Sequence, residues 1–143
     1  MNLSKHDWQD LIPHHGAMRL LDRVIDWDDT RIHLTAESHR SVDNPLRSGG
    51  QLRAVHLCEY GAQAMAVHGG LLARRDGAVA APGLLVSLRM VQLHVSRIDD
   101  LPAALNVHAE KLLAGDTSWQ YAFRIEHAGR RLAAGRAAVV TRK

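Results

Sequence analysis

Glu59 is the residue in this chain best suited to move a proton. It lies in a stretch, residues 52–72, that is otherwise almost wholly apolar and rich in alanine and leucine. A carboxyl group in such surroundings needs a partner, and a partnered carboxyl group can serve as a general acid or base. Its other reading is an interface carboxylate, paired with an arginine or a backbone amide at a dimer seam. Gln63 stands one helical turn later and can hydrogen-bond Glu59 and hold its rotamer. On a helical wheel His56, Glu59, Tyr60 and Gln63 fall within about a 100° arc, so they read as one polar seam. Before this stretch come Asn44 and then Gly49-Gly50-Gln51. A glycine pair ahead of a helix leaves N–H groups open to a ligand, and they carry partial positive charge. Such a site can hold a polarised carbonyl oxygen, as an oxyanion hole does, although a glycine pair can equally be a plain turn.

Other chemistries lack their residues. No Gly-x-Ser-x-Gly nucleophile elbow is present, and the glycines lack the spacing of a phosphate loop. The ten histidines include no His-x-x-x-His on the helical stretch; His14 and His15 are adjacent, and His33, His39, His94, His108 and His127 stand singly. Neither a metal nor another cofactor is expected. Cys58, the single cysteine, excludes an internal disulfide and reads as inert core. The formal charge is +3 with a basic end at Arg130, Arg131, Arg136, Arg142 and Lys143, but the arginines look scattered. With aromatics at 4%, there is no stacking platform, so nucleic acid is not expected as a partner, and an acidic protein fits the charge better. No apolar run is long enough for a membrane span, and the charged start MNLSKHDWQD is unlike a signal peptide. A cytoplasmic protein is expected.

The elements that must position Glu59 and the glycine loop follow from periodicity. The 143 residues suit one domain, 1–143. Ser4 is a candidate N-cap for a short helix closed by Pro13. Residues 18–27 and 30–39 read as a hairpin about Asp28-Asp29, and residues 41–51 as a loop punctuated by Pro45 and Gly49-Gly50. Residues 52–72 should be one buried helix, with Gly69-Gly70 supplying its C-terminal cap. Four extended segments follow, 83–96, 104–114, 117–128 and 130–141, joined by breaks short enough for a meander. Val91-Leu93-Val95, Leu105-Val107-Ala109 and Tyr121-Phe123-Ile125 each put an apolar row on one face. An α+β architecture with a curved antiparallel sheet wrapped around one helix satisfies this order, and its open edges suggest dimerisation.

Two motifs carry a resemblance. Leu11-Ile12-Pro13-His14 with Met18-Arg19-Leu20-Leu21-Asp22-Arg23-Val24 resembles the opening of hot-dog-fold 3-hydroxyacyl-acyl-carrier-protein dehydratases. Glu59-Tyr60-Gly61-Ala62-Gln63-Ala64 is similar to the Glu-Ala-x-Ala-Gln signature of their central helix. Residues 44–69 look closer still to the predicted dehydratases of aryl-polyene pigment clusters. The resemblance implies a hot-dog fold and chemistry on an acyl thioester borne by acyl carrier protein or coenzyme A, without a cofactor. It gives Glu59 the role of the helix carboxyl group, which in the family protonates the departing C3 hydroxyl, and Gln63 the supporting role. The amides that polarise the thioester carbonyl should lie within Gly50, Gln51, Leu52 and Arg53, with Gly49 beside them as a further substrate-binding residue.

The chain departs from the family at the loop. Where a histidine is expected to remove the C2 proton stands Asp43-Asn44-Pro45, and an amide cannot accept a proton at neutral pH. His39, five residues earlier, would need a rebuilt loop. Three readings follow. A second hot-dog subunit brings the histidine and this chain brings Glu59, forming a hydro-lyase. Alternatively Asn44 and Glu59 form the pair of a hot-dog thioesterase, active as a homodimer. In the third, the chain is a non-catalytic acyl-binding or scaffold subunit.

Overall fold

In the computed structural model, which describes residues 2–78, 83–115 and 117–141, local chemistry sets the start of the chain. The Asp7 carboxylate accepts hydrogen bonds from the Ser4 N–H (3.0 Å) and hydroxyl (3.1 Å), and the Asp7 N–H donates to the Ser4 carbonyl. This capping box opens α1, Lys5–Trp8, which tightens into a 3₁₀ turn over Gln9–Leu11 before Pro13. Trp8 is fully buried and its indole N–H donates to the Asp22 carbonyl, pinning the segment that carries the first motif.

The hairpin forms as β1, Arg23–Trp27, and β2, Arg31–Ala36. Asp28 Oδ1 accepts the N–H groups of Thr30 (2.9 Å) and Arg31 (2.8 Å), so the turn is an Asx-type cap. Both strands are shorter than expected, because Gly16–Met18 and Ser38–Arg40 are 3₁₀ turns. The long helix is α2, Leu57–Arg75, preceded by a 3₁₀ turn at Ala54–His56. It does not stop at Gly69-Gly70. A β-carbon on Gly70 would lie 2.7 Å from Leu11 Cβ, so this glycine serves close packing. The cap comes later: Gly77 has φ 74°, its N–H donates to the Arg74 carbonyl, and the Ala78 N–H reaches Ala73, a Schellman motif.

The remaining strands are β3, Gly83–Leu93; β4, Leu105–Ala114; β5, Ser118–His127; and β6, Arg130–Thr141. The sheet order is β1-β2-β4-β5-β6-β3 and every pairing is antiparallel. The meander therefore covers β4 to β6 only. β3 does not lie beside β4, whose free side is taken by β2; it crosses to the far edge and pairs with β6. α2 packs across β2, β4, β5 and β6, and the core gathers beneath it. The helix comes close to the sheet at Gly61, where a β-carbon would lie 2.7 Å from the Phe123 ring. Away from this cover, Val91 and Leu93 of the apolar row are exposed, and of that row only Val95 packs against the core. Two bulges interrupt β3, and the second leaves Met90 at φ 57°.

The arginines also differ from their sequence reading. Arg124, Arg131 and Arg136 border one hollow of about 290 Å³, floored by Ala122, Phe123, Ala134 and Gly135. Strand alternation puts Ala122 and Arg124 on the face opposite Phe123, away from α2. Arg142 and Lys143 lie outside the described residues.

Candidate active site

The approach to α2 is not helical. Leu52 is held extended: its N–H donates to Asp99 Oδ1 (2.9 Å) and its carbonyl accepts from the Ile98 N–H (2.9 Å). Hydrogen bonds from the Arg97 guanidinium hold the Asp99 carboxyl well below the usual carboxylate range, so this anchor is always charged at neutral pH. The helix expected from residue 52 thus begins at 54, because Arg53 and Ala54 pair with the segment at Ser96 and Arg97 instead. Gly49 (φ 59°) and Gly50 (φ 76°) build the turn ahead of it, a conformation that glycine adopts without strain. Of the expected amide donors, Gln51 is engaged by the Ser48 carbonyl and Leu52 by Asp99, so these two N–H groups are not open to a ligand.

The polar seam divides between two neighbours. Tyr60 is fully buried and faces the loop. Its hydroxyl contacts Ser38 Oγ (2.7 Å) and accepts from Asn44 Nδ2 (3.2 Å), and burial pushes the phenol up from its ordinary value. Ser38 in turn donates to the Leu20 carbonyl. Asn44 donates also to the Ser38 carbonyl (2.9 Å) and accepts the Leu46 N–H (2.9 Å). Both amide hydrogens of Asn44 are therefore engaged, and it is tied to Tyr60 and the loop rather than to Glu59. His39 is buried beside it, with Nε2 on the Leu101 carbonyl and its charged form disfavoured by burial.

Glu59 and Gln63 face the other way, toward the segment carrying the first motif. Gln63 is buried and Nε2 donates to the Met18 carbonyl (2.7 Å) and to Glu59 Oε1 (3.3 Å), while its Oε1 accepts the Leu20 N–H (2.9 Å). It couples α2 to the N-terminal segment and hydrogen-bonds the Glu59 carboxyl group. The partner that sequence reasoning missed is His14, whose Nε2 lies 3.3 Å from Glu59 Oε1. The side chains are 27% and 35% exposed, so the pair is reachable from solvent. Arg19 holds the histidine in place by donating to its carbonyl (2.8 Å). A signal was present: His14 belongs to the very motif that carried the resemblance, although forty-five residues of sequence hide its proximity to Glu59.

The other buried histidine, His68 on α2, is engaged at both ring nitrogens. His68 Nδ1 meets the Tyr121 hydroxyl (2.8 Å) and Nε2 the Asp28 carbonyl (2.7 Å), and burial lowers its affinity for a proton. Cys58 is half-buried, and burial raises its thiol. Among the described residues no group of three or more His, Cys, Asp or Glu side chains could hold a metal ion. None of the described helices is long and apolar enough to cross a membrane.

Three comparisons bear on this arrangement. No curated protein matches the chain. Among solved structures, a chain of the dehydratase heterocomplex ApeI:P from Xenorhabdus doucetiae superposes with a TM-score of 0.85 at 24% identity, covering 94% of this chain and 90% of that one. A hypothetical thioesterase with coenzyme A from Streptococcus pneumoniae TIGR4 has a TM-score of 0.64 at 13% identity over 97% of both chains. Zebra fish thioesterase superfamily member 2 gives 0.66 at 15% identity, over 96% of this chain and 95% of that one. These likenesses establish the hot-dog fold. The family model of the ApeP-like proteins, described as ApeP dehydratase, matches residues 6–143. With nearly the whole chain matched, and with the two motifs meeting in space at His14, Glu59 and Gln63, the chain belongs to the ApeP-like dehydratase family.

Proposed function

We propose that this chain is the carboxylate-bearing subunit of a 3-hydroxyacyl thioester dehydratase of the cytoplasm, completed by a second hot-dog subunit. The observation that carries the reading is Glu59, an accessible carboxyl group on a largely buried helix, held by Gln63 and His14. Dehydration removes a proton from C2 and the hydroxyl from C3, so it needs two proton-transfer groups near one thioester. Glu59 is one of them. The other is not Asn44, whose amide cannot take a proton and is engaged by Ser38, Tyr60 and Leu46.

The second group is assigned to the partner, and β3 is the edge that receives it. Among the described residues β3 pairs only with β6, and Leu85, Val86, Leu88, Met90, Val91 and Leu93 are exposed along it. A long apolar edge strand is a template for another chain. The solved neighbour described as a heterocomplex supports this assignment. The acyl group would arrive on acyl carrier protein or coenzyme A, with Gly49, Gly50 and Arg53 lining the approach to the thioester carbonyl. The thioesterase reading draws on two structural neighbours of that name, but the engaged amide of Asn44 leaves it without a group to orient the nucleophile.

The test is a mass-resolved incubation with a 3-hydroxyacyl carrier-protein thioester, run with the chain alone, with the hot-dog subunit that associates with it, and with Glu59→Gln. Loss of one water only in the assembled pair, abolished in the variant, is the expected result. Free acid and free thiol would make the protein a thioesterase, and an unchanged substrate in every sample would leave a scaffold role.

A further inference from the structure

The face of the sheet turned away from α2 carries an arrangement that the chemistry at Glu59 does not use. Its centre is the hollow of about 290 Å³ over Ala122 and Ala134. Alanine is a poor strand former, and here it leaves a depression among long side chains. Register sets the rim. Arg124 lies opposite Ala134, and Arg136 opposite Ala122, so the two arginines are diagonal neighbours with backbones about 7–8 Å apart. Arg131 lies opposite Glu126, one step beyond Arg124, and borders the same hollow. Arg89 on β3 stands directly opposite Arg136, and both border the small depression next to it.

These charges are not balanced within the chain. Arg124 Nε lies 3.5 Å from Glu126 Oε2, a carboxylate whose other oxygen is 3.5 Å from His108 Nε2. Arg89, Arg131 and Arg136 have no ion-pair or side-chain hydrogen-bond partner among the described residues. Glu110, opposite Ala122 on β4, is the other carboxylate of the rim. Four arginines thus face two carboxylates. Like charges directly opposite on neighbouring strands, as at Arg89 and Arg136, cost stability. An anion among the guanidinium groups removes that cost and accepts charge-assisted hydrogen bonds from their planar forks.

Shape decides the kind of anion. The hollow is at the lower end of the size range of small-ligand pockets and is too small to seat a helix of another protein. Its polarity runs from Arg131 at one end to Glu110 at the other, with Gln92 on the β3 side. An anionic head suits the arginines, and hydroxyl groups can donate to Glu110 and Gln92. We propose that this hollow binds a small phosphate monoester bearing hydroxyl groups, held by Arg124, Arg131 and Arg136. A phosphate monoester carries nearly two negative charges and three terminal oxygens, enough to engage three guanidinium groups against one Glu110 carboxylate. The sheet separates this ligand from α2, so it takes no part in the reaction at Glu59. The inference therefore stands whichever thioester reaction that residue serves.

The experiment titrates the full chain with glycerol 3-phosphate and follows the ligand's phosphorus resonance, with circular dichroism showing that each variant is folded. Saturable binding is expected, weakened at least tenfold in Arg131→Gln and in Arg136→Gln and falling as sodium chloride is raised. Arg40→Gln, which removes a charge from the distant loop, should leave the affinity within twofold. Glu110→Gln should tighten inorganic phosphate, which the carboxylate only repels. An equal loss in Arg40→Gln would mean a general charge effect and overturn the site. No saturable binding of either phosphate up to about 10 mM would overturn it as well. Tighter binding of hexaglutamate than of glycerol 3-phosphate would make the face a protein-docking surface instead. Light scattering that shows Arg136→Gln dissolving an assembly of this chain would give the hollow to a second copy and refute the proposal.

Discussion

Replacing Gln63 with leucine tests whether this side chain joins the fold to the site. Gln63 satisfies two backbone groups of the N-terminal segment, the Leu20 N–H at 2.9 Å and the Met18 carbonyl at 2.7 Å. Leucine fills similar space but leaves both unpaired. Leu20 is fully buried, so its N–H carries the whole penalty, about 1–3 kcal/mol. Met18 is half-buried and its carbonyl can recover water, so its share is about 1 kcal/mol. Extra apolar burial at a site 1% exposed returns somewhat less than about 1 kcal/mol. The net loss is about 2 kcal/mol. With a urea slope of about 2 kcal/mol per molar, the unfolding midpoint should fall by about 1 M. Hydrogen exchange at the Leu20 amide should accelerate, because its acceptor is gone. Gln63→Glu is the companion variant: it adds a like charge one turn from Glu59 and cannot donate to Met18, so its loss should exceed that of leucine at pH 7 and shrink on acidification. A midpoint for Gln63→Leu within about 0.3 M of wild type, with Leu20 exchange unchanged, would refute the coupling.

Other expectations follow from the same geometry. Burial disfavours the charged forms of His39 and His68, and burial and the stacked His33 ring bring His108 down to about 4. Their native pKa values lie below the unfolded value of 6.5, so the unfolded chain binds more protons in between; stability is full above pH 6.5 and should fall as pH drops toward about 4. Chemical denaturation across that range checks it, and His108→Gln should flatten the slope by one proton. Asn44→His should lower the melting temperature and gain no base, since an imidazole cannot replace the bonds to Ser38, Tyr60 and Leu46; a gain of dehydration by the chain alone would contradict this. Gly61→Ala should destabilise by about 1–3 kcal/mol despite better helix propensity, because the new methyl group meets the Phe123 ring; Phe123→Leu in the same chain should recover part of the loss. Val86→Lys with Leu88→Lys on the β3 edge should abolish association in light scattering and leave the monomer folded.

Much of the fold was legible because it rests on short-range patterns. Ser4 announces its N-cap, Asp28 its turn, and the apolar run of α2 its burial. The strand segments follow from period-two alternation, which depends on the backbone alone. Strand neighbours do not, so the sequence suggests a meander from β3 onward whereas β3 pairs with β6. Alternation at Val91 and Leu93 reports that one face is apolar and does not say whether a helix covers it. Gly70 differs for a related reason: its sequence position suggests a cap, while in the fold it lets Leu11 approach.

The candidate site divides along the same line. By itself the sequence determined that Glu59 is an ionisable group on a buried helix and that Gln63 can steer it, since both facts follow from a one-turn spacing. It determined also that position 44 has no base. Only the tertiary structure decided the rest, because each remaining relation is long-range. His14 meets Glu59 across forty-five residues, through a segment held by Trp8, Arg19 and Gln63. Arg124, Arg131 and Arg136 look scattered along the chain and border one hollow because two adjacent strands bring them to the same face. Spacing within an element records what shares a helix turn or a strand face; which faces meet is set by how the whole chain buries its apolar surface.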